Sequence, residues 1–145
     1  METIQLSHKE FLKINKDYTR AAKMADLVYV NDKDPGIERK KKGDGFTYSF
    51  NGKPVKDKKE LDRIKKLAIP PAWTNVWICP QENGHIQATG FDLRNRKQYR
   101  YHQHWSSLRN ETKFHHLFEF GKLIPSLRLK LELNLHPLES VTVTE

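Results

Sequence analysis

The dipeptide Asn51-Gly52 lies between two short extended runs, FTYSF before it and KPV after it, and no other feature of the chain restricts the fold as tightly. Both central residues of a type I′ turn need positive φ, which asparagine and glycine tolerate best, so the pair predicts a two-residue hairpin and an antiparallel sheet. Similar punctuation recurs. Asp34-Pro35-Gly36 closes the β-rich run LVYVND, Gly43-Asp44-Gly45 follows residues 37–42, and Asn83-Gly84 and residues 92–95 separate three more runs at 76–79, 86–91 and 96–102. Five or six short strands are predicted.

Helical spacing brackets and interrupts these strands. Phe11, Leu12, Ile14, Tyr18, Ala21, Ala22, Met24 and Leu27 recur at mostly three- and four-residue steps, which predicts one amphipathic helix over 8–27. Residues 56–67 repeat the pattern through Leu61, Ile64 and Leu67, with Asp57 placed as an N-cap and Pro70-Pro71 as the stop. A third helix is predicted over 104–124 and interrupted by Pro125. The LRLKLELNL stretch that follows alternates like a strand, yet strong helix formers fill its polar positions and favour a helix. The closing SVTVTE has no evident core to join. The fold class is α+β: a small antiparallel sheet with flanking helices and a C-terminal helical segment. The expected division is an N-terminal α+β domain over 1–102, a helical continuation over 103–136 and a disordered tail over 137–145.

With 145 residues the chain is sized for one domain. Its apolar runs are far shorter than the roughly 20 residues that span a bilayer, so no membrane association is expected. One cysteine, Cys79, excludes an intrachain disulfide, and a cytoplasmic location is expected. The formal net charge is +8, and it is concentrated. Residues 33–66 hold twelve Lys or Arg against six acids, and residues 94–113 hold six against Glu111 alone. A basic domain with such patches suits a polyanion, because each neutralised phosphate releases condensed counterions.

Several constellations have plain structural explanations. His102, His104, His115 and His116 lack an HExxH spacing and an accompanying cysteine, so no metal site and no cofactor are assigned. Arg39-Lys40-Lys41-Lys42 is expected to be a solvated edge or loop, Trp73 and Trp77 to be core aromatics, and Cys79 an inert buried thiol. The segment Arg94-Asn95-Arg96-Lys97-Gln98-Tyr99-Arg100-Tyr101-His102 differs. A strand there puts Arg96, Gln98, Arg100 and His102 on one face and Lys97, Tyr99 and Tyr101 on the other. Neither face is a hydrophobic core face. Guanidinium and ammonium groups for phosphates, an amide able to pair with a base edge and phenols that donate to backbone oxygens point to nucleic acid.

The span 27–120 resembles the amino-terminal DNA-binding domain of bacterial type IB DNA topoisomerases, the poxvirus-like branch of that family. The resemblance is carried by LVYVND with DPGI, KGDGFTY, LAIPPAW followed by VWICP, NGHIQATG, and RKQYRYH with a Trp and then ETKF. It implies a half-clamp on duplex DNA, with Arg96, Gln98, Tyr99 and Tyr101 on the strand that meets the groove and nearby phosphates; the neighbouring cations Arg94 and Lys97 are further DNA-binding candidates by their charge. It also implies phosphate contacts by Arg109 and Lys113 on the following helix. Asn95 stands where relatives usually carry glycine; asparagine tolerates the left-handed region best among the other residues, so the turn is expected to survive. Type IB chemistry cleaves one strand through a 3′-phosphotyrosyl intermediate, without metal or ATP. The family supplies the tyrosine and its cationic helpers from a helical C-terminal domain that this chain is expected to lack, so no catalytic residue is assigned. The expected partners are duplex DNA and that catalytic domain, in a bacterial nucleoid, with no small-molecule ligand. A stand-alone RNA-binding or ribosome-associated module remains the alternative, and a metal-dependent nuclease built on the histidines a further one. The RNA module would normally show exposed aromatics on its sheet, whereas the aromatic-rich strands here read as half buried.

Overall fold

Six strands form one antiparallel sheet in the computed structural model, which describes residues 6–14 and 17–135. They are β1 (Ile37–Lys42), β2 (Gly45–Phe50), β3 (Lys53–Pro54), β4 (Thr74–Ile78), β5 (Ile86–Phe91) and β6 (Lys97–Tyr101), in the spatial order β3-β2-β1-β4-β5-β6. Asn51 and Gly52 take φ of 47° and 76° between the paired residues Phe50 and Lys53, so the β2–β3 hairpin has the double positive φ that its sequence requires. Asn95 likewise adopts φ 55° in the β5–β6 turn.

Among the described residues four helices accompany the sheet: α1 (His8–Ile14), α2 (Tyr18–Met24), α3 (Lys58–Lys66) and α4 (Gln103–Leu135). The chain is therefore α+β, as its periodicities predict. None of these helices is long and apolar enough to cross a membrane.

Register sorts the strand residues onto two faces. Ile37, Val76, Ile78 and Ala88 turn to one side, where they pack with Ile64 of α3 and with Tyr48, Phe50, Leu67, Ile69 and Trp73. A second core lies away from the sheet centre and joins Phe11 and Ile14 of α1, Ala21 and Ala22 of α2, Ala25, Leu27, and Trp105 and Leu108 of α4. On the other face, Thr89 of β5 is buried beside the Asp32–Lys97 ion pair, whereas Tyr99 and Tyr101 of β6 are exposed, so among the described residues that face is open at β6.

Several sequence expectations are revised. The helix expected over 8–27 is two helices; Asp17 is extended at φ −133° and its carboxylate accepts from Arg20 N at 2.9 Å, which starts α2 afresh. LVYVND is not a strand. Val28 makes only an isolated parallel bridge to Gly84, because its N–H bonds Asn83 O and its carbonyl accepts from His85 N, clipping the segment to a loop rather than to a strand. Asp57 caps α3 as expected, through Lys59 N at 3.1 Å, but the helix stops before the prolines, where Ala68 turns left-handed at φ 48°.

Pro125 does not interrupt α4. The helix runs through it, forgoing the bond that an N–H there would make to Gly121 O, and Gly121 has open space around its Cα. The LRLKLELNL stretch is helical to Leu135, and the expected tail over 137–145 lies outside the described residues.

Trp73 packs on the core, whereas Trp77 does not join it. Its indole lies half-buried, donating Nε1–H to Asp34 O at 2.9 Å over Gly36, where any Cβ would collide with the ring. This explains the glycine of Asp34-Pro35-Gly36. Lys40, Lys41 and Lys42 are solvated as expected, but Arg39 is not. Its guanidinium binds the carbonyls of Ile69, Pro70 and Trp73 and rests 4.2 Å from the Phe46 ring centre, holding the IPPAW connector against β1.

Candidate nucleic-acid interface

β6 is an edge strand, so its side chains alternate across two faces with only β5 beside it. Tyr99 opposes Thr89 and Lys97 opposes Phe91, which places Lys97, Tyr99 and Tyr101 on the open face. The two phenol rings stand nearly parallel, 9° apart in orientation with centres 5.8 Å apart, and the Lys97 ammonium lies 5.5 Å from the Tyr99 ring centre. Both tyrosines are more than 40% exposed, Tyr99 at 42% and Tyr101 at 46%. The aromatic strands are thus less buried than their sequence suggests.

The N-terminal helices extend this ledge. Tyr29 stacks on His85 with centres 4.2 Å apart and lies parallel to Tyr18 at 6.5 Å, and both tyrosines are exposed. The Arg109 guanidinium sits 5.4 Å from the Tyr18 ring centre. Burial raises the Tyr101 phenol above its usual range, and the neighbouring Tyr99 and Tyr29 add to this while Arg109 opposes it. Tyr101 therefore remains a protonated donor at neutral pH.

Arg96 and Gln98 lie on the opposite, α3-facing side of β6 or in the turn before it, and both are held by Asp92. Its carboxylate accepts from Arg96 Nε at 2.9 Å and Gln98 Nε2 at 3.0 Å, and from the backbone N–H groups of Arg94 and Arg96 at 2.9 Å each. The bond from Arg96 N, followed by the other donors, holds the Asp92 carboxyl below its ordinary range. Arg100 donates to Ala68 O at the end of α3. Arg94 is exposed in the turn.

Lys97 is paired too. Burial alone would raise the Asp32 carboxyl, but the ion pair with Lys97 and a bond from Thr89 outweigh it and leave the group lowered. The same ion pair raises Lys97.

The residues singled out from the sequence therefore fall into three groups: Lys97, Tyr99, Tyr101 and Arg109 gather on or beside the open face, Arg94, Arg96 and Gln98 cluster around the Asp92 turn, and Lys113 follows one helical turn after Arg109 on α4. Sequence reasoning missed Tyr18, Tyr29, Asp32 and Asp92. Asp92 had a readable signal, since Asp at the first position of a turn commonly accepts from backbone N–H groups two residues on. Tyr29 had none, because the ring it stacks on most closely, His85, comes from a loop distant in the chain.

The histidines do not converge. His104 N donates to His102 Nδ1, while His115 meets His8 at 2.8 Å and stacks on Phe11. Among the described residues no group of three or more His, Cys, Asp or Glu side chains is placed to hold a metal. Cys79 is buried beneath Gly84, and burial pushes its thiol above the usual range.

Residues 45–92 match the family model described as bacterial DNA topoisomerase IB, N-terminal domain. The chain is 46% identical over 93 residues to a DNA topoisomerase 1B of Acanthamoeba polyphaga mimivirus. The match covers 63% of this chain and 28% of the relative, so the chain spans well under half the length of the protein it resembles. No solved structure matches it significantly.

Proposed function

We infer, from a chain whose residues 45–92 belong to the N-terminal domain of the bacterial type IB DNA topoisomerases, that it binds duplex DNA through β6, the β5–β6 turn and the start of α4. The observation that carries this reading is the open face at β6, where exposed phenols stand beside Lys97 and Arg109. Tyr99 and Tyr101 donate hydroxyls to backbone oxygens, Lys97 and Arg109 neutralise phosphates, and Lys113 continues the phosphate track along α4. Arg94 and Arg96 meet the neighbouring backbone, with Gln98 positioned to read a base edge.

Domain binding of this kind is one part of a type IB reaction. In the parent enzyme it would serve as half of a clamp, and the tyrosine that cleaves DNA would come from a catalytic domain. We assign no catalytic residue to this chain, no cofactor and no small-molecule ligand, and expect the protein alone to leave supercoiled plasmid unrelaxed. The division into 1–102 and a helical continuation over 103–136 and the nucleoid location belong to the same reading.

The exposed phenols also favour one alternative, a module that stacks single-stranded RNA bases on its tyrosines. An NMR titration compares the two. The proposed reading expects duplex DNA to bind with a dissociation constant of about 10⁻⁴ to 10⁻⁶ M at physiological salt. Shifts should centre on residues 94–101 and 109–113, and single-stranded RNA should bind more weakly. Neutralising Lys40, Lys41 and Lys42 together should matter less than Arg96→Ala. Shifts centred on residues 39–42, or tighter RNA binding through the tyrosines, would overturn it.

A further inference from the structure

α4 turns a second surface outward beyond the residues already assigned. Arg109, Lys113, His116, Leu117 and Phe120 line an open hollow of about 400 Å³. Their spacing of three or four residues puts them on one side of the helix, away from His115 and Glu119, which face α1 through His8. No acid lines the hollow. His116 Nε2 is buried and has no hydrogen-bond partner, in a protein whose other described buried side-chain polar atoms are satisfied. A buried ring nitrogen without a partner costs free energy, and because it makes no bond where it lies, turning the ring out toward a ligand in the hollow breaks none.

We propose that His116 is a phosphate ligand: about one helical turn beyond Lys113 on α4, it adds a further backbone phosphodiester to the contacts assigned to Arg109 and Lys113. The inference rests on the duplex-binding reading above and extends its footprint.

Three features of the hollow fit a phosphodiester. An imidazole N–H and an ammonium offer donors without a competing carboxylate. Leu117 and Phe120 supply an apolar wall, which suits the carbon face of a deoxyribose rather than a hydrated free anion. From Arg109 to His116 the helix rises about 10 Å at 1.5 Å per residue, enough for a strand's successive phosphates to meet Arg109, Lys113 and His116 in turn. Lys122 is engaged elsewhere, with Glu119 at 3.1 Å.

Imidazole resonances of the whole chain, followed during titration with a duplex and separately with inorganic phosphate, test the subsite. The duplex should shift the His116 ring signals together with those of Tyr99 and Tyr101. His116→Leu should weaken duplex binding about fivefold, the effect of losing one hydrogen bond, while His116→Gln, which keeps an N–H donor, should recover most of it. Lys113→Ala should lower the log-log salt slope by about 1.

A silent His116 ring at saturating duplex, with the tyrosines shifting, would overturn the subsite and leave the duplex reading standing. A response to inorganic phosphate but not to duplex would also overturn it. No response anywhere to duplex would remove the duplex reading itself. Circular dichroism melting of both His116 variants separates lost binding from lost folding: a Leu variant that melts like the parent and binds like it refutes the proposal. If the Leu variant fails to fold, the Gln variant and the ring shifts of the parent decide.

Discussion

Asp32 and Asp92 hold the cations that the interface would offer to phosphates. Lys97 is paired with Asp32 and Arg96 with Asp92, at 2.8 Å for the second. Each contact to a phosphate is thus an exchange of one anion for another, and its net effect is smaller than that of a solvated cation binding the same group. Asp32→Asn removes one competitor without changing shape. It should tighten duplex binding severalfold and steepen the log-log salt slope by up to about 1, read by fluorescence anisotropy across a salt series. Unchanged affinity and slope would mean that Lys97 stays with the chain rather than with DNA.

His85 carries a prediction for stability. The residue is 3% exposed, its Nδ1 accepts from Val30 N at 3.0 Å, and burial lowers its basicity, with a smaller opposing effect from the Val28 backbone. A depressed base binds its proton more readily when unfolded, so stability is present above the ordinary value of 6.5 and is lost as pH falls below it. His102 is lowered as well, first by burial and then by His104, and acts in the same direction. Urea midpoints should fall below pH 6.5, with a slope of up to about 1.4 kcal/mol per pH unit for each such histidine. The slope should shrink by roughly one proton's worth in His85→Asn, compared at equal temperature. A flat profile in the parent from pH 7 to pH 5 would contradict the assignment.

Among the elements, those whose signals are local are the legible ones. Asn51-Gly52 and Asp57 act within four residues of themselves, and hairpin and cap stand where the sequence puts them. LVYVND misled because β propensity names a backbone that can pair, not the neighbour it pairs with. Here a loop at residues 83–85 took the bonds. The helix over 8–27 failed at Asp17, whose carboxylate can start a helix as readily as sit within one. The edge position of β6 divides the predicted interface in two, and period alone could not reveal it, since alternation says which residues share a face but not what covers each face.

α4 shows another limit of pattern. Leu123, Leu127, Leu129, Leu131, Leu133 and Leu135 are 45% to 75% exposed and point around the helix rather than to one side. Tertiary packing, which stabilises most helices in proteins, is missing beyond Ile124 among the described residues. Amide exchange should therefore be fast after Pro125 in a verified monomer, by contrast with slow exchange around Trp105 and Leu108 in the second core. Strong protection there in the monomer would mean that the segment packs on its own domain.

In the whole molecule, one sheet is gripped from one side by α3 and flanked at its end by the α1–α2–α4 cluster. The two outer strands bear on how copies of the protein meet. β3 has two residues, one of them Pro54, and β6 alternates lysine, glutamine, tyrosine and arginine with a helix following directly. A proline cannot donate to a further ladder, and charged side chains discourage a neutral strand from aligning alongside. Both edges of the sheet are therefore poor templates for growth by strand addition. Self-association at high concentration should proceed through the leucines of α4, so that aggregates keep the infrared signature of the monomer and fail to bind amyloid dyes.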